Sequence, residues 1–231
     1  MLNFLLSLIG IGLGQYAEVV DNTMLNIALP TISNDMNISL SMVQWIPITF
    51  VLVTSSLLLP SAKISDIYGR KKIYLIGLII FCGAVFITGK SELILILILF
   101  KSIQGVGSAA IQSNGMAMII QLFDIKDRGK ALGIFMSIIG IGSITSPIIG
   151  GYIIDTYGWR GIFNFVTLVT IVAIIFGSFI NIEKNNLKNK FDFDLRGTVF
   201  STLTISSLII SISMFTSSGW NYYWILIGLP L

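Results

Sequence analysis

Histidine is absent from this chain, and cysteine occurs once, as Cys82 inside an apolar run. These absences exclude imidazole-based catalysis, an internal disulfide and a Cys/His zinc site, so no metal centre is expected. Charge is scarce as well. Charged residues make up 11% of the 231 positions, against about 25% in a soluble domain, while hydrophobic ones make up 55%. There is no phosphate-binding Gly-rich loop ending in Lys-Ser/Thr and no nucleophile with a base beside it, so nothing reads as an enzyme. What remains is the composition of a polytopic membrane protein.

About 20 mainly apolar residues are needed to cross the hydrocarbon layer. The apolar runs predict seven spans, at 4–29, 42–61, 73–89, 93–122, 131–154, 162–182 and 197–215. A final run, 222–231, is too short to cross and predicts a truncated eighth. The runs are too long and continuous for barrel strands, so the expected fold class is an all-α integral membrane protein. The start has no charged n-region and no small-residue cleavage site, and reads as a retained first span rather than a signal peptide.

Eleven Lys and Arg residues fall in the second-to-third, fourth-to-fifth and sixth-to-seventh connections, against Lys90 and Arg160 on the other side. That asymmetry predicts a multi-pass protein of the cytoplasmic membrane with its N-terminus in the cytoplasm. It also accounts for the net charge of +3 without nucleic acid as a partner. The Asn/Lys-rich stretch 183–196 reads as a solvated linker. It divides a six-span bundle, 1–182, from the extra seventh span and partial eighth, 197–231.

Three charges stand inside apolar helices: Glu18 and Asp21 in the first span and Lys101 in the fourth. A charge at the bilayer centre costs about 2.5–3.5 kcal/mol on insertion scales, so it persists where it is paired or lines a watery path. Such a set points to a conduit for ions or charged molecules. Gln15, Glu18, Asp21, Asn22 and Asn26 occupy an arc of about 140° on a helix of 100° per residue, which must face protein or water. Lys101, Gln104 and Ser108 share a second polar face. Gly105, Ala109, Ser113 and Ala117 form a separate small-residue ridge suited to close helix packing.

Four patterns narrow the reading. The second-to-third loop carries Ala62, Asp66, Gly69, Arg70 and Lys71, and the fourth span carries Lys101, Gln104, Gly105 and Gly107. The fifth carries Gly142, Ser146, Pro147, Gly150 and Gly151, and the first ends with Asp21, Thr23, Asn26 and Pro30. Together they resemble the major facilitator superfamily, and within it the drug:proton antiporters with fourteen spans. Arg128–Gly133, Trp159-Arg160 and Phe191–Gly197 are further landmarks of that likeness. The resemblance departs from the family at Ala62, Ile67, Lys101 and Ser146, where the family prefers Gly, Arg, Arg and Gly.

The resemblance implies a major facilitator-type six-helix bundle and an efflux antiporter of amphipathic, cationic small molecules. It implies no cofactor, since the proton gradient supplies the energy. Asp21 is then the proton and substrate carboxylate, with Lys101 tuning it, Gln104 and Asn26 as polar contacts and Glu18 as an accessory acid. Lys101 could equally be a static bridge, and Glu18, outside the family pattern, either adds an acidic site or borders a watery vestibule. Asp66, Gly69, Arg70 and Lys71 would latch the cytoplasmic face. The alternative is an ordinary basic loop. The Gly142–Gly151 motif would seal a leak path between helices, with Pro147 bending its helix. Partners are substrate, protons, the lipid bilayer and a second transporter half. The rival readings are a metabolite or siderophore transporter on the same scaffold, and a truncated fragment inactive without its other half.

Overall fold

The computed structural model describes residues 2–180, together with 200, 204 and 207. The expected linker, seventh span and partial eighth lie outside the described residues apart from those three positions, as do the Phe191–Gly197 landmarks. The described part is helical throughout: α1 (Leu2–Asp35), a single turn α2 (Leu40–Val43), α3 (Trp45–Tyr68), α4 (Arg70–Thr88), α5 (Ile94–Leu122), α6 (Ile125–Tyr157) and α7 (Arg160–Ser178). The stretch Leu40–Tyr68 and helices α4 to α7 are long and apolar enough to cross a membrane. At 34 residues, or about 50 Å at 1.5 Å per residue, α1 has the length too. Its polar stripe lowers its hydropathy.

Most helices overrun the apolar runs that predict them, because backbone hydrogen bonding continues until a residue can end it. Helix α1 runs through Pro30 to Asp35 and stops where Asn37 turns left-handed at φ 53°. Ile38 N–H then bonds Ser33 O at 3.1 Å, the bond pattern that closes a helix around a left-handed residue. Helix α3 continues past the predicted end at 61 to Tyr68, where Gly69 breaks it at φ 99° and ψ 128°. Glycine adopts that conformation without the Cβ penalty, which suits it to the tight turn into α4. In the opposite sense, α7 ends at Ser178, short of the predicted 182.

Packing reveals a repeat that the amino acids hide. Helix α5 packs chiefly on α4 and α3, and α1 packs chiefly on α7 and α6, while α4 meets α7 and α1 meets α5. Exchanging α1 with α5, α3 with α6 and α4 with α7 therefore preserves the neighbours. The two equivalent contacts, α4–α5 and α1–α7, each carry a close glycine-to-glycine approach of backbones. A Cβ on Gly107 would lie 2.6 Å from Gly77 O and 2.7 Å from Phe81 N, and one on Gly10 would lie 2.8 Å from Gly177 N. Neither α4–α5 nor α1–α7 could close to this distance around a larger side chain. The expected ridge on α5 is real but serves a different neighbour: Gly105 sits against Phe50 O and Val53, and Ser113 bonds Ser61 at 3.2 Å, both on α3. Helices α1 and α5 thus meet in the middle, with both of their polar faces turned inward.

Candidate functional site

Among the described residues, Glu18, Asp21 and Lys101 are the buried charged side chains, and all three lie where α1 meets α5. Lys101 Nζ stands 2.6 Å from Asp21 Oδ2, with both side chains fully shielded. Gln104 Nε2 donates to the same oxygen at 2.7 Å. The other carboxylate oxygen, Oδ1, is buried and accepts no hydrogen bond, and the same holds for Gln104 Oε1. Lys101 Nζ also lies 5.5 Å from the ring centres of Phe50 on α3 and Phe163 on α7, within cation–π range. One ammonium thus links four helices. With two carboxylates beside a single ammonium, the ionised site carries an excess negative charge.

Glu18, one turn before Asp21, is saturated instead. Its Oε2 accepts from Gln15 Nε2 at 2.7 Å, and its Oε1 accepts from the Ser108 hydroxyl and from Gln112 Nε2. Asn22, within the stripe, and Thr23, beside it, turn back to the carbonyls of Glu18 and Val19. Asn26 is not brought into this cluster: it is exposed on α1. Sequence reasoning missed Gln112, Phe50 and Phe163. Gln112 had a signal, since it extends the face of Lys101, Gln104 and Ser108 by one more turn. The two phenylalanines had none, because apolar residues fill every turn of α3 and α7.

A cleft of about 210 Å³ opens beside this cluster, walled by Asn22, Phe50, Thr54, Ser55, Leu58 and Gln112, among others. It brings α1, α3 and α5 to a common face next to the carboxylates.

The remaining motif residues are placed at the bundle's ends and seams. Arg70 donates through Nε and Nη2 to Asp66 Oδ1 at 3.1 and 3.0 Å, bridging the Gly69 turn. Both side chains are partly exposed, and such pairs contribute about 0.2–1 kcal/mol. Lys71 Nζ bonds Ser178 O at 2.9 Å and ties this turn to the end of α7. On α6, Gly142 packs on Tyr16 and Val19, Gly150 packs on Met24, and buried Ser146 bonds the Gly142 carbonyl. The seam therefore faces α1. Gly151 does not belong to it, since nothing would meet a Cβ there. The reason is geometric: Gly142, Ser146 and Gly150 repeat every four residues, and Gly151 lies 100° further round. Helix α6 continues through Pro147, which is exposed.

At the end of the bundle away from Gly69, Asp35 Oδ2 accepts from Trp159 Nε1 at 2.9 Å and Arg160 Nη1 at 3.0 Å. Arg160 also reaches Ser91 O at 3.4 Å and stacks 4.1 Å over the Trp159 ring. The Trp159 and Arg160 bonds hold the Asp35 carboxyl below its ordinary value, against a smaller opposing effect of burial.

A buried ion pair between the first and fourth long helices, on a bundle with this internal repeat, agrees with the family comparison. The model of the Major Facilitator Superfamily matches residues 11–231. The chain belongs to that family. Multidrug resistance protein Stp of Mycobacterium tuberculosis (strain CDC 1551 / Oshkosh) is 30% identical over 94% of this chain and 40% of its own length. Multidrug transporter protein MdtP of Bacillus subtilis (strain 168) is 30% identical over 93% of this chain and 39% of its length. Riboflavin transporter RibZ of Clostridioides difficile (strain 630) is 33% identical over 74% of this chain and 37% of its length. The chain spans about two fifths of the length of these relatives. A peptide transporter POT crystallised with sulfate superposes with a TM-score of 0.71 at 11% identity, covering 96% of this chain and 49% of its own. A bacterial homologue of the human lysosomal transporter Spinster, inward-facing and occupied, gives 0.67 at 18% identity, covering 91% of this chain and 52% of its own. Both superpositions place the major facilitator fold on this chain. The superfamily is one of membrane transporters that act on small molecules.

Proposed function

We propose that this chain forms the N-terminal part of a proton-coupled efflux antiporter for amphipathic, cationic small molecules in the cytoplasmic membrane. The observation that carries the reading is the charge count at the α1–α5 contact, two buried carboxylates against one ammonium. Burial disfavours an uncompensated charge, so the excess is relieved either by a proton or by a cationic substrate. Competition between the two for one negative charge is antiport in chemical terms. Asp21 is the exchanging carboxylate, because one of its oxygens has no donor. Lys101 and Gln104 hold the other oxygen in place.

The N-terminus and the basic loops lie in the cytoplasm in this reading. Asp66, Gly69, Arg70 and Lys71 form a gate that closes against a second six-span half, joined through the linker 183–196 and the extra spans of 197–231. The Gly142, Ser146 and Gly150 seam seals α6 against α1. Asn26, exposed on the same helix, meets substrate rather than the ion pair. Similarity to proteins named for multidrug resistance supports the substrate class. Similarity to a riboflavin transporter favours a second reading, metabolite transport on the same scaffold.

The test is dye efflux from inverted vesicles or proteoliposomes with an imposed pH gradient. Asp21→Asn is expected to abolish gradient-driven transport of a cationic dye while the protein still inserts. Unchanged transport removes Asp21 from the mechanism. Transport of a flavin with no cationic dye transport selects the second reading.

A further inference from the structure

The cleft beside the carboxylates has a polarity of its own. Its exposed wall carries Gln112, with Asn22 and Ser55 partly exposed. Amide and hydroxyl groups are costly against acyl chains, so this face turns toward protein or water instead of lipid. The hydrogen bonds then fix which atoms remain for a ligand. Gln112 commits its amide nitrogen inward, to Glu18 Oε1 and to Ser108 Oγ at 3.4 Å. Asn22 commits its amide nitrogen to Glu18 O at 3.1 Å, and Thr54 donates its hydroxyl proton to Gly105 O at 3.3 Å. An ionised carboxylate accepts hydrogen bonds only, so Glu18 dictates that Gln112 must present nitrogen inward and oxygen outward. The amide oxygens of Gln112 and Asn22 and the threonine oxygen are therefore left as acceptors, beside the Ser55 hydroxyl, which can donate or accept. Phe50 adds an aromatic wall and Leu58 an apolar one.

We propose that this cleft is a substrate subsite for the N–H-bearing ammonium end of an amphipathic molecule, selected by the Gln112 and Asn22 oxygens, with Glu18 the positioning residue that orients Gln112. The proposal rests on the cation-efflux reading above and narrows its substrates to those with a hydrogen-bond donor on the charged head. A quaternary ammonium has the charge but no proton to give. Lys101 does not oppose a second cation here, because its charge is engaged by Asp21. Glu18 supplies the remaining negative charge one hydrogen bond behind the cleft wall.

The experiment compares two fluorescent probes with the same body, a dansylated hexylammonium and its N-trimethyl analogue. Binding is measured with the full-length protein in detergent, and gradient-driven transport is measured in proteoliposomes. The expected result is that Gln112→Met weakens the primary ammonium about tenfold, the worth of one hydrogen bond to a charged donor, and leaves the trimethyl probe unchanged. Glu18→Gln is expected to remove the same preference, and Glu18→Asp to keep part of it. A purely structural role would weaken both probes together. Equal loss for both probes, no loss for either, or no preference in the unmutated protein overturns the subsite. If the preference is present in binding but neither probe is transported under a gradient, the subsite stands and the efflux reading fails.

Discussion

Glu18 and Asp21 sit one turn apart on the same helix, equally buried, and are satisfied in different ways. Glu18 shares three donors between both oxygens. Asp21 takes both of its donors on one oxygen and leaves the other bare. Glu18 is thus held by neutral groups, while Asp21 depends on one cation. A saturated carboxylate orients its neighbours. An unsaturated one leaves an acceptor open, which is the feature the proposed exchange rests on.

Removing the cation should break this comparison most strongly. Lys101→Met leaves Asp21 buried and unpaired and is expected to cost about 3–5 kcal/mol, read as a large fall in the thermal midpoint in detergent. The double variant Asp21→Asn/Lys101→Met should recover more than half of that loss. If it unfolds as readily as Lys101→Met, the pair is not what holds α1 to α5. Glu18→Ala comes next, since it strands three donors, and about 1–3 kcal/mol is expected. Single donors sharpen the contrast further. Gln104→Leu removes one of two bonds to Asp21, and Ser108→Ala removes one of three to Glu18. The first should lower the midpoint more than the second, and the reverse order would erase the distinction between the carboxylates.

The smallest effect belongs to Asp35, the exposed counterpart at the far end. Its carboxyl binds protons less tightly folded than unfolded, so the clasp stabilises above the ordinary Asp value of 3.8 and loses that contribution as pH falls through its lowered native value. An unfolding series from pH 7 to pH 5 should show a constant contribution from Asp35, with the difference between the protein and Asp35→Asn disappearing only in strong acid. A difference that vanishes near pH 6 would mean the clasp titrates through another group.

The helices and their order were legible because lipid imposes a simple rule on backbone polarity, and the bilayer-buried charges were legible because they are few. That Lys101 needs a buried acid followed from the same scarcity, while the choice of Asp21 over Glu18, which the ion pair bears out, was what the family resemblance implied. Helix ends were less legible, because Asn37 and Gly158 act through backbone conformation outside the apolar pattern. Gly151 was grouped with a seam it does not touch, since a motif read as a string ignores the 100° step. Phe50 and Phe163 were invisible because an aromatic beside a cation looks, in sequence, like an aromatic beside lipid. The internal repeat is carried by which helices touch rather than by matching residues.

The contact of Gly10 with Gly177 also bears on the mechanics of transport. The two backbones leave no room for a side chain between them, and the Tyr74 hydroxyl, donating to the carbonyls of Gly10 and Ile11 at 3.1 Å, hooks α1 from α4 as well. Helix α1 is therefore pinned lengthwise on two sides. A slide along its axis would have to break the Tyr74 bond and part the two glycine backbones. In the antiporter reading proposed above, these contacts favour a tilt of α1 together with α4 and α7 over a slide of α1 alone.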